Sequence, residues 1–140
     1  MASANVELVR SFGAAWERRD FPRMAELVDP EMELVMADGP DPGTQTGFER
    51  LQRIWREYLT TWEDYRLVED EIRELDGERV LALFRFGGRG KTSGVDLAEL
   101  SSLAAGVYHI RQRKIVRLVR YWDADRALAH LGLAPRQPSS

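Results

Sequence analysis

The sequence contains no cysteine and only two histidines among its 140 residues. The absence of thiols excludes disulfide bonds, thiolate nucleophiles, zinc fingers and iron–sulfur ligation. The two histidines, His109 and His130, are far apart in the sequence, so a metal site would need several carboxylates to complete it. We therefore expect neither a metal ion nor an organic cofactor.

The sequence also lacks a large net charge of either sign, and it lacks long hydrophobic runs. Twenty Lys and Arg residues face 23 Asp and Glu residues, a net charge of −3, which gives no long-range reason to bind nucleic acid or an anionic membrane. No apolar stretch approaches the roughly 18 residues of a membrane-spanning helix. We expect a cytoplasmic protein with one domain over residues 1–140, its core at about 4–133 and a flexible tail at 134–140.

Three segments near the N-terminus carry apolar residues at helical spacing. Ser3 or Asn5 can cap the first segment, and Asp20 can cap the second, which the Asp29-Pro30 pair ends. The third has the strongest amphipathic pattern and opens with an apparent capping box at residues 46–49. These patterns predict helices over residues 6–18, 21–28 and 48–62.

Strands are predicted where the apolar period shortens to two. Residues 31–36 form the first strand, and the Pro- and Gly-rich residues 37–46 form a loop. A hairpin with a two-residue Asp76-Gly77 connection follows Tyr65. A glycine-rich break, one long bent strand and a return strand are then predicted over residues 87–94, 95–110 and 115–122.

The end of the chain carries helix signals again, with Asp123 as a cap and Gly132 as the terminating residue. The full order predicts an α+β fold. Three N-terminal helices pack on a curved antiparallel sheet, and a short C-terminal helix completes the domain.

Three local signatures accompany this order of elements. They are Phe12-Gly13-Ala14-Ala15-Trp16 with Arg19-Asp20-Phe21, the glycine-rich strand end at residues 85–94, and the run from Val107 to Asp123 with Leu131-Gly132-Leu133. Over about residues 4–133 the chain resembles the SnoaL-like branch of the nuclear transport factor-like superfamily. The resemblance implies a cone-shaped fold with an apolar cavity, commonly dimeric. The superfamily includes polyketide cyclases, ketosteroid isomerases, limonene epoxide hydrolases, dehydratases and non-catalytic binders.

The resemblance does not extend to the catalytic residues of the ketosteroid isomerases or the epoxide hydrolases. Ketosteroid isomerases use an Asp base, with a Tyr and a protonated Asp as oxyanion donors. The matching positions fall on Phe12, near Met36 and around Ala105-Gly106, which carry neither hydroxyl nor carboxyl groups. A two-residue slip would place Asp38 at the base position. The Arg-Asp-Asp set of the epoxide hydrolases is not evident either.

Asp38, His109 and Asp96 are the predicted catalytic residues. Asp38 lies on the loop where the superfamily's pocket mouth usually sits, although a solvated turn also explains it. His109 and Tyr108 are strand neighbours, so only one of them can face the cavity, and the other packs elsewhere. Asp96 and Glu99 lie on opposite faces of an unbroken strand, and a carboxylate inside an apolar cavity would have a raised pKa.

The aromatic content can line a cavity for a flat or polycyclic ligand. Arg120, between two apolar residues, can hold an anionic group of that ligand. We predict a homodimer, formed through the sheet, that binds a hydrophobic small molecule. It is either a cyclase-, isomerase- or dehydratase-like enzyme or a non-catalytic binding or dimerisation module, without nucleic-acid or membrane partners. The predicted ligand-binding residues are Phe12, Trp16, Trp55, Tyr58, Phe84, Tyr108, Arg120 and Trp122.

Overall fold

The computed structural model describes residues 3–39, 42–90, 96–97 and 103–134. Ser3 caps the first helix by accepting the Val6 N–H, and Asp20 caps the second by accepting the Arg23 N–H, both as predicted. Asp123 caps the last helix, and Gly132 follows it with φ +71°. The elements are α1 (Ala4–Arg18), α2 (Phe21–Leu27), β1 (Val28–Met36), β2 (Gly43–Thr46), α3 (Phe48–Thr60), β3 (Trp62–Glu74), β4 (Arg79–Gly90), β5 (Asp96–Leu97), β6 (Ala104–Arg111), β7 (Lys114–Tyr121) and α4 (Ala124–His130).

The strands form one curved sheet in the order β2-β1-β7-β6-β4-β3, with β5 paired to β4. Register shifts in β3, between Glu69 and Glu71 among others, mark bulges that increase local twist. The α+β class and the curved sheet are confirmed. The sheet is mixed rather than purely antiparallel, because β1 runs parallel to β7.

The two faces of the sheet are covered by different helices. Along β4, Val80 and Ala82 join the core under α1, α2 and α3, whereas Leu81 and Leu83 join a second core under α4. This alternation is the period of two expected of a strand. It also decides which side chains can face a cavity under the N-terminal helices.

Several predicted boundaries in the N-terminal half are wrong. α2 ends at Leu27, just before Asp29-Pro30 as predicted, but β1 begins earlier than predicted and includes Pro30, which has no partner in the ladder with β2 or in the ladder with β7. The predicted loop contains β2, which extends β1 into a hairpin. Gly47, with no side-chain cap, precedes α3, so the capping box does not form, and Trp62 begins β3 instead of ending the helix.

The glycine-rich region and the hairpin before it also differ from expectation. Four residues connect β3 and β4, because the Asp76 carboxylate accepts the Glu78 N–H and builds a longer turn. Gly87 and Gly88 stay within β4, where both take part in ladder pairs. The predicted long strand is two strands, β5 and β6, that both pair with β4. Residues 98–102, and 135–140 of the predicted tail, lie outside the described residues.

Candidate binding site

Two adjoining cavities of about 250 and 300 Å³ lie between the N-terminal helices and the sheet. Trp16, Trp55 and Arg120 line both of them. The first cavity extends toward Phe12 and Tyr108, which we call the Tyr108 cavity. The second, which we call the Trp122 cavity, extends along α3 to the end of β7. Volumes of this size are near the lower end of the range for small-molecule sites, about 300–1,000 Å³.

Trp55 is the centre of the aromatic wall. Its ring meets Trp16 at 5.2 Å and Phe12 at 6.1 Å between centroids, both edge to face. Phe12 in turn meets Tyr108 at 6.0 Å. Such edge-to-face pairs fix ring orientation beyond what area burial alone does. The wall is therefore preformed, with Phe12 and Trp16 presented one helical turn apart by α1.

Gly106 lies beside three side chains that line the Tyr108 cavity. A Cβ atom at this position would lie 3.2 Å from Leu118 Cδ1, 3.4 Å from Tyr108 Cε1 and 3.8 Å from Arg120 Cδ. The separation from Leu118 is tighter than ordinary van der Waals contact, and the separation from Tyr108 is at its lower limit. The missing side chain thus lets Tyr108, Leu118 and Arg120 converge on one space.

Arg120 is the cation shared by the two cavities. Its guanidinium carbon lies 4.8 Å from the centre of the Phe84 ring, a cation–π geometry. Its Nε atom is buried and has no hydrogen-bond partner. No described carboxylate forms an ion pair with it. Within the described structure, Arg120 therefore lacks the counter-ion that a semi-buried guanidinium ordinarily has.

The Tyr108 hydroxyl supplies a second polar group to the same space. Burial raises the pKa of Tyr108 above its usual range, and the positive charge of Arg120 opposes part of that rise. The hydroxyl consequently stays protonated at neutral pH. It can donate a hydrogen bond to an oxygen placed in the Tyr108 cavity.

Trp122 forms the outer wall of the other cavity. Its ring is 45% exposed and meets Phe86 edge to face at 5.7 Å. Gly39, at φ +95°, packs so closely on the indole that a Cβ atom there would lie 2.4 Å from a ring carbon. The segment after β1 therefore holds Trp122 in place at the mouth.

Asp38 supports this segment and does not line either cavity. Its carboxylate accepts the backbone N–H groups of Trp122 and Asp123 and lies 3.8 Å from Arg126 Nε. The side chain is only 8% exposed. This placement gives Asp38 a structural role at the junction of β7 and α4, rather than the predicted catalytic one.

We expect Asp38→Ala to lower the free energy of unfolding by about 1–3 kcal/mol, because the backbone N–H groups of Trp122 and Asp123 lose a charged acceptor. Asp38→Asn keeps one acceptor oxygen and should lose less. Urea denaturation of both variants measures the difference. Equal stability of the alanine variant and the wild type would contradict the structural role.

His109 lies on the opposite face of the sheet from Tyr108, so it is Tyr108 that faces the cavity. Its neighbours in the ladder are Arg79 and Arg117. Burial, followed by the positive charges of Arg117 and Arg79, lowers the pKa of His109 below its usual range. The predicted catalytic His109 is thus a neutral, half-buried group at pH 7, away from both cavities.

This pKa shift has a consequence for stability. The unfolded chain, with an ordinary His pKa near 6.5, binds the proton more tightly than the folded chain does. Stability should therefore fall as the pH drops through about 6.5, and more steeply in the wild type than in His109→Gln. Urea denaturation at pH 8 and pH 5.5 compares the two slopes. Parallel slopes would show that His109 is not the group responsible.

Asp96 is placed only by its backbone. It lies in β5, paired with Arg89 of β4. Its side chain and the whole of Glu99 lie outside the part of the chain that the structure describes. The catalytic prediction for Asp96 therefore stays a prediction.

All eight residues predicted to bind a ligand line one or both cavities. Sequence reasoning missed two carboxylates on the wall of the Tyr108 cavity, Glu17 and Glu69. Glu17 accepts the Leu67 N–H at 3.2 Å, and Glu69 pairs with Arg10 at 3.4 Å. Glu17 follows Gly13 by four residues on α1, so the helical period could have found it.

The described residues show no other conventional site. No group of three or more His, Asp or Glu side chains among them could hold a metal ion. None of the helices in residues 3–39, 42–90, 96–97 and 103–134 is long and apolar enough to cross a membrane.

Comparison with known proteins shows which family and which solved structures this chain is similar to. A family model described as a SnoaL-like domain matches residues 9–118. An NTF2-like protein of unknown function from Burkholderia pseudomallei K96243 has a TM-score of 0.74 at 22% identity, over 91% of this chain and 97% of that one. No functionally curated protein matches the sequence.

Two similar structures contain small molecules. A hypothetical protein with a ketosteroid isomerase-like fold from Catenulispora acidiphila DSM 44928, in complex with trimethylamine, has a TM-score of 0.70 at 20% identity, covering 94% of this chain and 98% of its own. TerC, co-crystallised with polyporic acid, has a TM-score of 0.72 at 20% identity, covering 92% and 98%. At these identities the likeness shows the fold alone.

Proposed function

Because the chain belongs to the SnoaL-like domain family, whose model covers residues 9–118, we propose that it binds a hydrophobic small molecule in the two adjoining cavities. The observation that supports this most is the preformed aromatic wall, in which Trp16 and Trp55 face both cavities. Flat aromatic or polycyclic molecules match such a wall, since ring edges and faces can stack on it. The proposed ligand contacts are the eight aromatic and Arg side chains predicted from the sequence.

Tryptophan fluorescence tests the proposal, because Trp16, Trp55 and Trp122 line the cavities. We expect saturable quenching by deoxybenzoin, a neutral two-ring ketone, and by polyporic acid, the compound present with TerC. Tyr58→Ala, on the cavity side of α3, should weaken binding several-fold. Arg53→Ala, exposed on the same helix, should leave it unchanged. If neither compound causes saturable quenching, the proposal is contradicted.

A second candidate is acid–base catalysis of a cyclisation, isomerisation or dehydration type. The supporting observation is that Tyr108, Arg120, Glu17 and Glu69 line one cavity. A carboxylate can remove a proton from a carbon beside a ketone, while Arg120 and the Tyr108 hydroxyl stabilise the enolate oxygen. The proton then returns to the carbon. The alternative is a non-catalytic binder.

Hydrogen–deuterium exchange distinguishes these two candidates. In D₂O, the CH₂ protons of deoxybenzoin exchange through its enolate, which NMR follows directly. A catalyst should accelerate the exchange, and Tyr108→Phe and Arg120→Gln should slow it while Arg53→Ala does not. Exchange at the buffer rate despite binding would identify a binder.

We also propose a homodimer formed through the sheet. The relevant face is partly covered by α4, whose Ala127 and Leu128 belong to the same buried cluster as Leu81 and Leu83. A dimer would therefore use the strand surface that α4 leaves open. Light scattering should give twice the chain mass of 16.0 kDa. A mass of one chain would exclude the dimer.

A further inference from the structure

We propose that Arg120 selects a ligand whose acidic oxygen group lies between two apolar parts, one in each cavity. This inference rests on the proposed function and specifies the ligand that the site selects. Three observations carry it: the position of Arg120, the state of its guanidinium group and the places of the neighbouring carboxylates.

The position of Arg120 is the first. Met36 of β1 and Gly106 of β6 flank it in the sheet, and its side chain lines both cavities. The junction of the Tyr108 cavity and the Trp122 cavity is marked by the lining residues that the two share, Trp16, Trp55 and Arg120. A ligand long enough to occupy both must pass Arg120 near its middle. Its ends then meet aromatic walls on both sides.

The state of the guanidinium is the second. The buried Nε of Arg120 has no hydrogen-bond partner, and its cationic face rests on the Phe84 ring. A buried donor left unpaired costs free energy, so an acceptor brought by a ligand recovers it. A carboxylate or an ionised enol matches the planar donor fork of arginine, and the charge strengthens the bond. The Tyr108 hydroxyl can donate to a second oxygen of the same group.

The neighbouring carboxylates are the third observation. Glu17 and Glu69 line the Tyr108 cavity, but each has a partner of its own, the Leu67 N–H and Arg10 respectively. Neither pairs with Arg120 in the described structure. The positive charge is therefore not neutralised from within the cavity wall, and a ligand anion would be its first counter-ion there.

Three two-ring probes test the inference by titration calorimetry at pH 7.5, where both acids are ionised. Diphenylacetate carries its carboxylate on the carbon that joins the rings. Diphenylacetamide has the same shape without charge, and biphenyl-4-carboxylate carries its charge at one end. We expect diphenylacetate to bind at least about tenfold more tightly than either of the other two, which corresponds to ~1.4 kcal/mol.

Variants then assign the preference to Arg120. Arg120→Gln should remove the preference for diphenylacetate over diphenylacetamide, whereas Arg120→Lys, which keeps the charge, should retain part of it. Arg117→Gln is the matched control, because Arg117 lies on the same strand but is exposed. It should bind as the wild type does. Circular dichroism checks that each variant is folded.

The outcomes separate the two proposals. If the wild type binds diphenylacetate and diphenylacetamide equally, the inference is overturned but the proposed function stands. The same holds if Arg120→Gln keeps the preference for diphenylacetate. Tighter binding of biphenyl-4-carboxylate would overturn the central position of the anion. Failure of all three probes to bind, together with no quenching by deoxybenzoin or polyporic acid, would overturn both proposals. The comparison of probes on the wild type needs no variant to fold.

Discussion

Trp55→Ala should lower the free energy of unfolding by about 3–5 kcal/mol, the range measured for removing a large aromatic side chain from a core. Trp55 is 5% exposed and contacts Trp16, Phe12 and Phe48 through edge-to-face ring pairs. Its removal deletes those contacts and joins the two cavities into a larger space. Ligand affinity should fall as well, because the shared aromatic wall is lost. Thermal and urea denaturation, with deoxybenzoin titration, measure both effects.

Two variants serve as controls for this prediction. Trp55→Phe keeps a ring at the position and should lose distinctly less stability than the alanine variant. Arg53→Ala, exposed two residues earlier on α3, should stay within about 0.5 kcal/mol of the wild type. If Trp55→Ala is as stable as Arg53→Ala, the aromatic wall does not support the fold.

Gly106→Val should reduce the affinity for diphenylacetate by more than about tenfold and cost about 1–3 kcal/mol of stability, as overpacking of a well-filled core does. The new Cβ atom alone would stand 3.2 Å from Leu118 and 3.4 Å from Tyr108. The two further methyl groups would push against Tyr108 and Arg120, the polar groups proposed to hold the ligand. Calorimetric titration and urea denaturation measure the two effects separately.

Gly13 provides the matched control for this substitution. It lines the Tyr108 cavity from the helix side, where an added Cβ atom would meet nothing within 4 Å. Gly13→Ala should stabilise the protein by about 0.4–1 kcal/mol, because alanine restricts the unfolded chain and favours helix. If Gly106→Val binds diphenylacetate as tightly as Gly13→Ala does, Gly106 does not shape the site.

The sequence predicted the fold well where one pattern was strong. The stripe on α3 identified a helix, and the family resemblance, confirmed by the family model, supplied the arrangement of the elements. The local boundaries failed where a tertiary contact decided the outcome. Gly87 and Gly88 look like a strand break, yet pairing with the strands on both sides keeps them in β4. The parallel position of β1 likewise depends on β7, which the local pattern of β1 cannot reveal.

The candidate site could be predicted in part for a similar reason. Aromatic residues on apolar stripes face the core, and in a cone-shaped fold part of that core is the cavity wall. The direction of an isolated polar side chain is harder to predict, because one residue of register turns a strand side chain to the other face. Tyr108 and His109 illustrate this, and only the ladder register decides between them. Asp38 depends on a contact with Trp122 84 residues away, which no local pattern contains.

That long-range contact belongs to the pairing of β1 with β7, which also constrains how the chain reaches its native state. β2 and β7 are the only ladder neighbours of β1 within the described residues, and β7 is made after all the other described strands. Contacts between distant parts of a chain form slowly, since loop closure must precede them. We expect the β1–β2 hairpin to keep one open edge until β7 has been made. The N-terminal part of the protein would thus become native only after β7 is available, and a chain cut short before Lys114 would expose an edge prone to aggregation.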